Sequence, residues 1–231
     1  MAESELAKWA ADVSAKPYGK RIYSITRAIT MQTVFRILDI RSEGLEHLKT
    51  APPVIIAPVH RSNLDSVIVG ALGERRLPTL SKESLFKIKP VAWWIAGLGA
   101  IPLDRDAADR EATTAARKIL DSGKPLMIFP EGTRQSGQQI AELFDGTTWI
   151  AAKSNASIVP VGIAGTEEAL PKGAKRIYRT TVGVSVGEPL EMPEGRVSRP
   201  QLSELTKELT SRLQAANDRA HELRSSPTAS P

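Results

Sequence analysis

The chain has 231 residues, with Lys+Arg at 31 against Asp+Glu at 26 and a formal charge of +5, which suits one full-sized α/β domain and draws it to anionic partners. It contains no cysteine, which excludes disulfides, thiolate catalysis and Cys-based zinc sites and fits a reducing cytosol. No run reaches the roughly 18 apolar residues of a transmembrane helix and residues 1–12 lack the apolar core of a secretory signal, so any membrane contact is expected to be peripheral or monotopic.

Residues 16–40 carry Tyr18, Ile22, Tyr23, Ile25, Ile29, Val34, Phe35, Ile37 and Leu38 beside Lys16, Lys20, Arg21, Arg27 and Arg36, with no acidic residue before Asp39. Two readings are open: an interfacial helix whose apolar side enters the acyl boundary while its cations meet anionic headgroups, or a helix packed on the domain with a solvated basic face. Residues 41–50 read as a connection. The run 54–59 is a buried strand that delivers His60-Arg-Ser-Asn-Leu-Asp65 at its carboxyl end, where open α/β sheets place their chemistry. Asn63 or Asp65 can cap a helix through Leu72.

A short strand over 77–80 follows, and then an uncharged run, 90–102, that holds Trp93 and Trp94. Those rings are either core or the wall of an apolar, membrane-facing groove. Residues 99–103 read as a strand ending at Asp104-Arg105, and Asp106 can cap a helix to Ser122 closed by Gly123. The run 125–129 is a second buried strand, which delivers Pro130-Glu131-Gly132-Thr133-Arg134. Helical pieces are expected over 138–144 and 147–154. The strand 157–163 contains Pro160, which places it at an edge or a bulge.

Residues 181–187 are the last strand. They include Gly183-Val-Ser-Val-Gly187, which matches the serine-hydrolase elbow pattern but is followed by Pro189, Pro193 and Gly195, so no helix can start there and Ser185 is a strand residue. Ser198-Arg-Pro-Gln201 resembles a capping box opening a long helix with Leu202, Leu205, Leu209 and Leu213 on one side. The tail 224–231 is Ser/Pro-rich and expected to be disordered. The whole is expected to be α/β, with a mixed, largely parallel central sheet flanked by helices and an N-terminal amphipathic helical segment.

The chain has 3 histidines, and His60 stands out by its address directly after a buried strand. A neutral imidazole there can take a proton from an alcohol, and a carboxylate on the other ring nitrogen would fix its tautomer; Asp65 can reach back if the chain turns. Glycine lets a ligand approach the Glu131-Gly132-Thr133-Arg134 backbone, and Arg134 and Arg105 suit phosphate. The alternative for each arginine is a surface residue on a strand-to-helix turn.

Taken together, His60-Arg-Ser-Asn-Leu-Asp65, Gly99-Ala-Ile-Pro-Leu-Asp-Arg105, Phe129-Pro-Glu-Gly-Thr-Arg134 and Ile158-Val-Pro-Val161 resemble the four ordered blocks of the glycerolipid acyltransferases, most of all the 1-acylglycerol-3-phosphate acyltransferase (PlsC-like) family. The resemblance covers about 54–187. It implies an enzyme that moves a long-chain acyl group from acyl-CoA or acyl carrier protein to the free hydroxyl of lysophosphatidic acid, forming phosphatidic acid. His60 would be the general base and Asp65 its orienting partner. Arg105, Glu131, Gly132, Thr133 and Arg134 would hold the glycerol phosphate, and Trp93, Trp94 and Pro160 would lie on the acyl side.

No metal or redox cofactor is implied, and the acyl thioester is a substrate. The expected organisation is a membrane-docking helical segment at 1–40, the acyltransferase domain at 41–223 and a tail at 224–231, at the cytoplasmic face of the cell membrane. This chain departs from the family in carrying Asp145, where many members have a basic residue, and in lacking the transmembrane helices many of them have. Acylation of glycerol 3-phosphate or of another lysophospholipid is the alternative within the class. A non-catalytic lipid-binding protein is the alternative outside it, and nucleic-acid binding ranks last because aromatic content is 5% and no nucleic-acid-binding motif is present.

Overall fold

The computed structural model describes residues 5–103 and 109–226. Two helices, α1 (Glu5–Ala15) and α2 (Pro17–Ile37), lead into an edge strand β1 (Asp39–Glu43) and a 3₁₀ turn at Leu45–Lys49. The half-buried, charge-rich β1 replaces the connection expected over 41–50, because an edge strand covered on one side lacks the apolar run that marks a core strand.

β2 (Val54–Pro58) is buried throughout and hands the chain to α3 (Leu64–Leu72). β3 (Thr79–Lys82), α4 (Lys89–Leu98), β4 (Ala100–Leu103), α5 (Asp109–Asp121), β5 (Leu126–Met127), α6 (Gly146–Ser154) and β6 (Ser157–Ala164) follow. A single turn α7 (Thr166–Ala169), β7 (Thr181–Val186) and the long α8 (Arg199–Ser225) complete the chain. The cap expected at Asp106 and most of the expected tail lie outside the described residues.

The seven strands form one sheet in the order β1-β7-β6-β2-β5-β3-β4. β6, β2, β5, β3 and β4 are mutually parallel, while β7 meets β6 antiparallel and β1 runs parallel to β7. This is the mixed, largely parallel sheet expected. Its core is aliphatic: all eight residues of β6 are buried, and Ile55, Ile56, Ile158 and Ile163 belong to one buried cluster with Leu209 and Leu213 of α8. α8 lies so close to the sheet that a side chain on Gly162 or Gly183 would collide with the carbonyls of Ala216 and Ala220.

Pro160 corrects one part of its expectation and keeps the other. It is not at an edge, since β6 has β2 on one side and β7 on the other. From Val161↔Val186 to Ile158↔Leu190 the pairing advances three residues along β6 (158 to 161) but four along its neighbour (186 to 190), a one-residue bulge beside the proline's missing N–H.

The helix expected over 138–144 is absent. The carbonyls of Gly137 and Gln139 accept from Arg61, and the N–H groups of Ile140 and Ala141 donate to Gln214 and Glu131, so the backbone groups a helix would use are engaged elsewhere. The strand expected over 77–80 sits two residues later, and β5 is shorter than its apolar run.

The first two helices pack on α4 and α3. Small residues allow a close fit: Ala10 and Val13 of α1 meet Ala92 and Ala96 of α4, and a side chain on Gly97 would come within 2.6 Å of Ile22 on α2. Arg76 Nη1 donates to Ser14 O at 2.6 Å, tying the end of α1 to the domain. On α2, Tyr23 Oη and Arg27 Nε donate to the carbonyls of Gly70 and Ala71, which are among the orphan acceptors at the end of α3. So α2 is a packed helix, yet Ile25 and Ile29 on it are 60% and 56% exposed. No helix among the described residues is long and apolar enough to cross a membrane.

Candidate active site

His60 follows β2 at the edge where the five parallel strands end, and α3 starts at Leu64 beside it. The turn between them is held by one carboxylate. Asp65, fully buried, accepts from His60 Nδ1 at 3.1 Å and from the N–H groups of Arg61 at 2.6 Å and Ser62 at 2.7 Å through Oδ2, and from Thr166 Oγ1 at 2.6 Å through Oδ1. It therefore organises the loop rather than capping α3 with its side chain.

An ionised Asp65 can only accept, so the imidazole proton sits on Nδ1 and Nε2 keeps its lone pair. Nε2 has no protein partner among the described residues, and the Phe129 ring stacks on the imidazole at 4.1 Å between centroids. A fixed tautomer with an open basic nitrogen is what proton abstraction from an alcohol requires.

A second buried network backs the first. Arg61 Nη1 and Glu131 Oε2 lie 2.7 Å apart, with the Glu131 side chain wholly enclosed. Arg61 also donates to the carbonyls of His60, Gly137 and Gln139, while Glu131 accepts from the N–H groups of His60 and Ala141. Glu131, expected to hold the glycerol phosphate, has its carboxylate filled by the protein. The sequence reading could not see this, because its partner stands 70 positions away.

Of the other expected residues at this edge, Gly132 (φ +70°), Thr133 and Arg134 are exposed, and Arg134 has no protein partner among the described residues. Arg105 lies outside the described residues. Trp93 and Trp94 are each 44% exposed, so the core reading does not hold for them. They bridge α4 to α2: Trp93 stacks on Tyr18 at 5.8 Å, and Trp94 Nε1 donates to Thr26 Oγ1 at 3.0 Å. Pro160 is buried inside the sheet, paired with Ala57.

Asp145 precedes α6 and accepts from Thr206 Oγ1. Ser185 is a strand residue whose hydroxyl donates to Glu43. Three residues at the edge have a part that escaped sequence reading: Arg61, Ser62 and Thr166. Thr166 stands two residues past the end of β6. The address that singled out His60 would have found it.

A His–Asp pair with an open imidazole nitrogen, set at the carboxyl edge of an α/β sheet, is an arrangement able to take a proton from a hydroxyl. The chain belongs to the acyltransferase family, whose model matches residues 39–164, more than half its length. It is 27% identical over 165 residues to a chloroplastic 1-acyl-sn-glycerol-3-phosphate acyltransferase of Arabidopsis thaliana, covering 70% of this chain and 46% of that protein.

It is also 25% identical over 182 residues to the 1-acyl-sn-glycerol-3-phosphate acyltransferase of Bacillus subtilis, covering 77% of this chain and 88% of that one. The chain spans 46%, 40% and 39% of the lengths of its relatives from Arabidopsis thaliana, Brassica napus and Chlamydomonas reinhardtii. Its fold is that of the 1-acyl-sn-glycerophosphate acyltransferase PlsC from Thermotoga maritima, with a TM-score of 0.73, 23% identity and coverage of 96% of this chain and 88% of that one.

Proposed function

We propose that the protein transfers a long-chain acyl group from an acyl thioester to the free hydroxyl of 1-acylglycerol 3-phosphate, giving phosphatidic acid. The observation that carries this reading is the His60–Asp65 pair with its open Nε2, in a chain whose relatives are named for that reaction. His60 Nε2 takes the hydroxyl proton as the oxygen attacks the thioester carbonyl. The tetrahedral intermediate collapses, the carbon–sulfur bond breaks, and the imidazolium returns the proton to the departing thiolate. Asp65 stabilises the imidazolium. Base catalysis of this kind contributes about 10²–10⁴-fold, so positioning supplies much of the remaining rate.

The acceptor phosphate lies on Arg134 and the Thr133 hydroxyl, with Arg105 a further ligand; Gly132 leaves room for its approach, while the N–H groups of Gly132 and Thr133 are engaged by the carbonyls of Phe129 and Glu131. Glu131 acts behind them, holding Arg61 and the His60 backbone in place. The acyl chain and the bilayer lie on the helical side. Ile25 and Ile29 on α2 flank Thr26, to which Trp94 is bonded, and Ile88 and Val91 continue the exposed apolar surface onto the start of α4. Such a surface beside the exposed Lys20, Arg21 and Arg36 suits an anionic leaflet.

The test is thiol release from palmitoyl-CoA, with and without lysophosphatidic acid in mixed micelles, by wild type and His60→Ala. Acceptor-dependent release by wild type alone is expected. Release without acceptor dependence, or equal release by both proteins, would overturn the reading.

A further inference from the structure

The segment 170–180, Leu-Pro-Lys-Gly-Ala-Lys-Arg-Ile-Tyr-Arg-Thr, places four cations and no carboxylate in eleven residues. Lys172, Lys175, Arg176 and Arg179 are all exposed, and none is in an ion pair among the described residues. Uncompensated cations at this density repel one another, so something anionic is their natural complement. Among them stands Tyr178, 44% exposed, with the Arg176 guanidinium 5.0 Å from its ring centroid.

The segment is moored to the catalytic edge at both ends. β7 runs antiparallel to β6, so the chain between them turns where the parallel strands finish. Thr166, which opens α7, donates to Asp65, and Ser62 Oγ donates to Leu170 O at 3.1 Å. The Tyr178 N–H then returns to Ala169 O at 2.8 Å, bringing the aromatic residue back beside the start of its own loop. The cations therefore flank His60 on the β6 side, across the dyad from Arg134 on the β5 side.

We propose that the 170–180 loop seats the nucleotide end of an acyl-coenzyme A donor, with its phosphates on Lys172, Lys175, Arg176 and Arg179 and its adenine on Tyr178. This rests on the acyl-transfer reading and deepens it. Acceptor and donor each carry phosphate, and like charges held on one flank would repel; two cationic flanks separate them with the reacting hydroxyl and thioester between. An acidic carrier protein would need the charge alone. An exposed aromatic ring stacked with a guanidinium adds a platform for a base, which favours a nucleotide.

The probe is adenosine 3′,5′-bisphosphate, whose binding calorimetry reads without any turnover. Wild type is expected to bind it, and the combined Lys172→Ala, Lys175→Ala, Arg176→Ala variant to bind at least about tenfold more weakly, with Tyr178→Ala also weakened. In turnover, the ratio of kcat/KM for palmitoyl-CoA to that for S-palmitoyl-N-acetylcysteamine, a thioester without phosphate, should fall about tenfold or more in the triple variant.

An unchanged ratio would overturn the proposal, as would an equal loss with both donors, which would make the loop a prop for the dyad. Loss confined to palmitoyl carrier protein would assign the loop to a protein surface instead, and loss confined to anionic-vesicle binding would assign it to lipid; both refute the nucleotide. Bisphosphate binding that depends on the loop, in a protein without acyl transfer, would leave the site standing and remove the reading on which its role rests. Absence of both would remove both.

Discussion

Two regions handle their chemistry in opposite ways. Behind His60, the polar atoms are enclosed and matched: Asp65 takes four hydrogen bonds, and the Arg61–Glu131 pair bonds five backbone groups, those of His60 (both N–H and carbonyl), Gly137, Gln139 and Ala141. Across the helical layer of α1, α2 and α4, apolar atoms are left in the open, on Ile25, Ile29, Ile88, Trp93 and Trp94. The first region is rigid because a buried charge without its partners is costly. The second leaves its apolar surface uncovered, as the membrane contact proposed above would require.

The comparison predicts which readout each substitution moves. His60→Ala should lower kcat/KM by about 10²–10⁴ while leaving urea unfolding nearly unchanged, because the imidazole is partly exposed and makes one side-chain hydrogen bond. Asp65→Asn should lower activity comparably and also soften the 60–65 loop, seen as faster hydrogen exchange at Arg61 and Ser62. Glu131→Ala strands a buried guanidinium and should cost about 3–5 kcal/mol in urea unfolding. A changed acceptor KM without that loss of stability would instead make Glu131 a ligand contact.

Ile25→Glu with Ile29→Glu should abolish sedimentation with anionic vesicles and shift stability by no more than about 0.5 kcal/mol per site; unaltered vesicle binding would break the contrast. The smallest effect belongs to a surface ion pair. Glu43 is held below its usual value of 4.5, first by its hydrogen bonds to Arg219 and partly by Ser185. Its folded pKa is depressed, so its contribution is present above about pH 4.5 and fades as pH falls through the lower folded value. Exposure limits that contribution to about 0.2–1 kcal/mol, measured as the difference between wild type and Glu43→Gln in unfolding at pH 7 and pH 3.

Much of the architecture is legible because the signals are local. The apolar runs at 54–59 and 157–163 can only be buried strands, and His60 is conspicuous because it comes straight after one. β1 is not legible, since Asp39, Arg41 and Glu43 along a half-covered edge look like any connection. The segment 138–144 has helical spacing, but Arg61, Glu131 and Gln214, all distant in sequence, take its backbone groups. The Arg61 partner of Glu131 is not legible for the same reason: a charge after a strand reads as a ligand until its partner 70 positions earlier is known. For the tryptophans the apolar sequence context left core and groove wall both open, and α4 buries Ala92 and Ala96 and turns both rings toward α2.

β1 finds its strand partner in β7, with Asp39 beside Thr181, 142 positions further along the chain. On the ribosome, the first strand must therefore wait, with its backbone groups unpaired, until β7 has emerged. β6 and β7 in turn stay uncovered until α8, the last helix, arrives on Gly162 and Gly183. The His60 segment is made early, but the sheet that holds it closes from its two ends of sequence at once. Until β7 and α8 have been made, the nascent chain thus carries an open strand edge and an uncovered sheet face, both of them sticky.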